Sequence, residues 1–125
     1  MPFSKAMISF AEQDLDGVII DLRGNPGGLG AMVMGMAGHF VSEPGQSLGE
    51  MKLRGTELRF VANPRAEFQR FHGPVTVLVD ELSASTSEVF ASGMKHAASA
   101  RVLGTTSAGM ALPSIIESLP NGDRM

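Results

Sequence analysis

The chain has 125 residues, 43% hydrophobic and 18% charged, a balance that excludes intrinsic disorder and suits one domain with a real core. Ten basic residues against thirteen acidic ones give a net charge of −3, which argues against a domain that grips nucleic acid through its phosphates. Cysteine is absent, so disulfides, thiolate metal sites and cysteine nucleophiles are excluded together.

Phe3, Ala6, Met7 and Phe10 recur at helical spacing, so residues 3–13 read as a short amphipathic helix. The same stretch lacks the continuous apolar segment of a secretory signal. Residues 17–22 are a β-branched run and read as a buried strand. The loop Arg23-Gly24-Asn25-Pro26-Gly27-Gly28 follows, because one Pro and three Gly cannot continue a strand. Residues 29–40 are apolar on most sides and read as a buried helix. Residues 48–54 and 57–62 alternate as two strands joined at Gly55-Thr56, and residues 63–73 read as irregular. Residues 75–80 are the second clear buried strand, residues 83–98 the second strong helix, and residues 101–104 a short third buried strand. No apolar run approaches the roughly 18 residues of a membrane span.

Strand, helix, strand, helix, strand is an α/β pattern, with a partly parallel sheet and helices as crossovers. A last strand is expected at Pro113–Leu119, ending in the hairpin signal Asn121-Gly122. Only three residues follow that turn, so this strand is expected to lack its partner and to present an open edge, as in a piece of a larger domain.

Two loops follow buried strands and open helices, where sites gather in parallel α/β sheets. By itself the glycine loop reads as a tight turn. It fails the dinucleotide fingerprint, since Val33 stands where Gly is required, and no Gly-Lys-Ser/Thr is near. Bare amides on Gly27 or Gly28 could instead face a developing alkoxide. In the second loop Ser85 and Glu88 have the spacing of a capping box, which accounts for both at about 1 kcal/mol. The alternative is a nucleophile at a helix N-terminus, and spacing does not choose among Ser83, Ser85 and Ser87. A base is harder to find. His96 lies about 16 Å beyond Ser85 along the helix, Lys95 is its neighbour, and His39 and His72 stand alone. Three scattered histidines make no metal site. No cofactor is expected.

The two loops together, with Val77-Leu78-Val79-Asp80 and Gly104-Thr105-Thr106-Ser107-Ala108-Gly109, resemble the tail-specific, or carboxyl-terminal processing, serine peptidases. The resemblance runs from about residue 15 to residue 122. It implies a crotonase-like α/β core with a mostly parallel sheet, residues 1–125 being part of that core. Members usually carry a PDZ domain before this region, and residues 1–14 are too short to be one. The family nucleophile falls on Ser85, and its oxyanion donors on Thr86 and the pair Gly27-Gly28. The lysine base of the best-known branch falls on Met110, whose thioether cannot accept a proton. The resemblance to a tricorn-like branch implies a histidine base from an upstream segment. Many members are exported to a periplasm or lumen; the sequence leaves the compartment open.

The expected function is therefore a serine peptidase cleaving polypeptides near their carboxyl ends through Ser85, with its base outside the chain. The competing functions are a non-catalytic peptide-binding relative, motivated by Met110, a crotonase-type enzyme acting on acyl thioesters, and a purely structural fragment.

Overall fold

A computed structural model describes residues 2–112 and 117–123 of the chain. In chain order the elements are helix α1 (Pro2–Ala11), strand β1 (Val18–Asp21), helix α2 (Gly30–Ala37), strands β2 (Ser47–Leu53) and β3 (Thr56–Val61), a 3-10 turn (Glu67–Gln69), strand β4 (Val75–Val79), helix α3 (Thr86–Ala97) and strand β5 (Arg101–Gly104). Strands β1, β4 and β5 form a parallel sheet in that order, with Val18 opposite Val75 and Val77 opposite Val102. Strands β2 and β3 form a separate antiparallel hairpin, with a register shift between Ser47 and Gly49.

Alternation decides the core. Val18 and Ile20 on β1, and Val75, Val77 and Val79 on β4, turn inward. They meet Val33 and Ala37 of α2 and Phe90, Ala91 and Met94 of α3 in one apolar cluster. Each large apolar side chain so buried contributes roughly 1.5–3 kcal/mol. The hairpin closes on α3 at Gly93, where a side chain would meet Leu48 Cβ and its carbonyl at 2.8 Å. Only glycine allows that approach.

Three expectations are corrected. The sheet is buried on one face only: Ile19 is 69% exposed and Leu103 53%, because the core cluster engages only the other face. Strand β5 is an exposed edge, with only Val102 partly covered. Helix α2 is shorter than residues 29–40 and buries only Val33 and Ala37, leaving Leu29 and Met32 exposed. Most of the strand expected at Pro113–Leu119 lies outside the described residues. Beyond it the expected turn is present: Gly122, at φ 89°, donates to the Leu119 carbonyl at 2.9 Å, and Leu119 donates to Asp123 at 2.8 Å. Pro120-Asn121-Gly122 is thus a three-residue loop closed by a left-handed glycine, rather than a two-residue one. Among the described residues no helix is long and apolar enough to cross a membrane.

Candidate active site

Strand β4 ends at Val79, the chain turns through Asp80–Ala84, and α3 starts at Thr86. Ser85 stands at the junction with φ 55° and ψ −121°. A non-glycine residue held there costs on the order of 1–3 kcal/mol and persists only where its surroundings impose it. Glu88 supplies part of that constraint, accepting the Ser85 amide at 2.9 Å. Ser85 and Glu88 form the capping box that their spacing predicts.

Asp80 joins the two loops. Its Oδ1 accepts the amide of Gly24 in the glycine loop at 2.9 Å, and the amides of Leu82 and Ser83 at 3.1 Å. These bonds, the one from Gly24 foremost, hold the Asp80 carboxyl below the usual aspartate range. Ser83 is fully buried, donates its hydroxyl to the Leu22 carbonyl at 2.7 Å and accepts the Asp80 amide at 2.9 Å. It is a structural serine. Ala84 donates to the Asn25 carbonyl at 3.1 Å. The glycine loop is thereby pressed against the serine turn. A Cβ on Gly27 would lie 2.8 Å from Ser85 Cβ and from the Ala84 carbonyl, and 3.0 Å from the Thr86 nitrogen.

The amides divide by occupancy. Gly27 donates to Asn25 Oδ1 at 2.9 Å. Gly28 and Thr86 donate to no group among the described residues. An open cleft of about 740 Å³ is lined by Pro26, Gly27, Gly28, Ser85, Met110 and Leu112, with Glu81 as the ionisable side chain on its wall. The Glu81 carboxylate accepts the Thr105 hydroxyl at 3.2 Å. On the other side of Gly27 and Gly28 a smaller cavity of about 100 Å³, walled by Leu22, Leu29, Met32 and Phe90, opens beside Thr86.

The segment after β5 returns to this cleft. Ser107, Gly109 and Met110 all donate to the Glu88 carboxylate, at 2.7, 2.8 and 2.9 Å. Burial opposes ionisation of Glu88, but these bonds, from Ser107 first, outweigh it and keep the carboxyl below the ordinary glutamate range. Met110, 65% exposed, lines the same cleft as Ser85.

None of the histidines lines the cleft. His39 is buried, with Nδ1 2.8 Å from the Gln69 carbonyl and Nε2 3.2 Å from the Ser4 hydroxyl. His72 pairs with Glu67, and His96 lies exposed in the last turn of α3 beside Lys95. Among the described residues there is no group of three or more His, Cys, Asp or Glu arranged to hold a metal ion. Sequence reasoning missed Asp80 and the second role of Glu88. A carboxylate ending a buried strand just before a serine cluster was the available signal for Asp80.

The family model for "Peptidase family S41" matches residues 2–125. The chain is 31% identical over 121 residues to the carboxy-terminal processing protease CtpB of Bacillus subtilis, covering 97% of this chain and 24% of that protein. It is 32% identical over 117 residues to the carboxyl-terminal-processing protease of Synechocystis, covering 94% of this chain and 26% of that protein. The chain therefore spans about a quarter of the length of these curated relatives. Among solved structures, the photosystem II D1 C-terminal processing protease superposes with a TM-score of 0.77 at 24% identity, over 95% of this chain and 30% of that one. That likeness establishes the shared α/β fold.

Proposed function

The chain belongs to peptidase family S41, and from that premise we propose that it carries the nucleophile and oxyanion hole of a serine peptidase acting near the carboxyl ends of polypeptides. The core is of the crotonase-like class. Ser85 Oγ attacks the scissile carbonyl carbon and its proton passes to a base. The carbonyl oxygen becomes an oxyanion that accepts the amides of Gly28 and Thr86, the two donors without partners among the described residues. Collapse expels the amine, which takes the proton back from the base, and water, deprotonated by the same base, then hydrolyses the acyl group on Ser85. Gly27 does not donate, since Asn25 holds its amide; its role is to let the glycine loop come this close. The apolar cavity beside Thr86 is suited to a substrate side chain. The base lies outside this chain, because Met110 stands in the cleft where a lysine is expected.

The observation that carries this reading is the contact of Gly27 with the Ser85 turn. A fluorophosphonate probe tests it. Labelling of the protein that is lost in Ser85→Ala supports the peptidase. Met110 favours a second reading, a peptide-binding relative without turnover, and a folded protein that binds peptide but resists the probe would select it. Acyl-thioester turnover that survives Ser85→Ala would replace both.

A further inference from the structure

The carboxylate of Glu88 is saturated. Its Oε1 accepts the Ser107 hydroxyl at 2.7 Å and the Gly109 amide at 2.8 Å. Its Oε2 accepts the Ser85 and Met110 amides, each at 2.9 Å. A carboxylate offers about four lone-pair positions, and all four are used. Capping α3 requires only the bond to Ser85. The other three come from a loop that follows β5, far along the chain.

We propose that Glu88 is the positioning residue that registers the Ser107–Met110 loop against the nucleophile turn, so that residue 110 stands in the cleft with Ser85. Its service to a nucleophile rests on the peptidase reading; the clamp itself does not. The same saturation excludes Glu88 as the base, since it has no lone pair left for a proton from Ser85. The clamp also ignores the side chain at position 110. It grips two main-chain amides and one hydroxyl, so Lys or Met at 110 is presented from the same backbone. The loop geometry of a dyad can thus persist in a chain that has lost the dyad lysine.

Among the described residues the other ionisable groups facing this region are Glu50 on β2, which shares a groove with Glu88 and pairs with Arg59 of β3, and Glu81 on the cleft wall. The test is a pH titration of the backbone amides of the 125-residue chain by nitrogen-15 NMR. The Ser85, Gly109 and Met110 resonances should move together with one midpoint below the ordinary glutamate range, and stop moving in Glu88→Gln. Ser107→Ala removes one donor without touching the helix. It should raise that midpoint and speed hydrogen exchange at Gly109 and Met110 on the order of tenfold, leaving the Ser85 amide protected. If Glu88→Gln does not fold, Ser107→Ala carries the test. Separate midpoints for the three amides, or titration that persists in Glu88→Gln, would overturn the proposal. So would exchange in Ser107→Ala that leaves Gly109 and Met110 unchanged. A shared midpoint in a protein that resists fluorophosphonate supports the clamp and counts against the nucleophile alone.

Discussion

Gly27 and Ser85 touch with no room between them for a methyl group: a Cβ on Gly27 would stand 2.8 Å from that of Ser85. Gly27 also has φ 98°, which a side chain resists in any case. Gly27→Ala is therefore expected to destabilise the protein by roughly 2–4 kcal/mol, from overpacking and backbone strain together. Gly28 has open space around its Cβ position, so Gly28→Ala should change stability by less than about 0.5 kcal/mol. Urea denaturation of the two variants checks the contrast; equal losses would mean that the loops do not meet as described.

The serines should separate by stability. Ser83→Ala removes a buried hydroxyl with two partners and should cost about 1–3 kcal/mol. Ser85→Ala removes the N-cap hydroxyl of α3 and should cost no more than about 1 kcal/mol. Ser85→Gly should stabilise by about 1 kcal/mol through relief of the positive φ. Thermal melts of the three variants give the order directly, and a loss at Ser85→Ala as large as at Ser83→Ala would overturn it.

Acid should loosen the site from its carboxylates outward. Asp80 and Glu88 are both held below their ordinary ranges by donated hydrogen bonds. Groups depressed in the folded state contribute stability that is present above the unfolded-state pKa and lost as pH falls through the folded one. Stability should thus be level at neutral pH and decline below the ordinary carboxylate range. Asp21, drawn down to about 2 by the Arg23 hydrogen bonds, is exposed and should add little. Denaturation midpoints from neutral pH downward should show a steeper decline in the natural chain than in Glu88→Gln.

A lysine at position 110 should not by itself give the 125-residue chain peptidase activity. Met110 is 65% exposed, so an ammonium there keeps its hydration and its charge at neutral pH, and a charged amine accepts no proton. Met110→Lys is expected to leave peptide hydrolysis at background between pH 7 and 8, measured with a fluorogenic peptide. Turnover in that range would mean that the cleft desolvates the lysine more than its exposure indicates.

Strands β1 and β4 could be read from their β-branched runs, and the capping box from its spacing. Both are local patterns that repeat within a few residues. The sequence reading erred where burial depends on what lies above a residue. Ile19 and Leu103 are as apolar as their buried neighbours, yet they face away from the helices. Residues 29–40 are apolar on most sides, yet only one side of α2 meets the core.

Local pattern and the resemblance to a family were enough to offer Ser85, Thr86 and the glycine pair as candidates, and to single out Met110 as a departure. Neither could show that the Gly27 amide is spent on Asn25, or that Ser83 is the serine that anchors the turn. The serine distinction depends on a bond between segments far apart in the chain, from the Ser83 hydroxyl to the Leu22 carbonyl, and the glycine one on the conformation of a loop held against the serine turn. Packing of the helices on the sheet brings such partners within reach. A donor reveals whether it is spent only once its acceptor has been brought beside it.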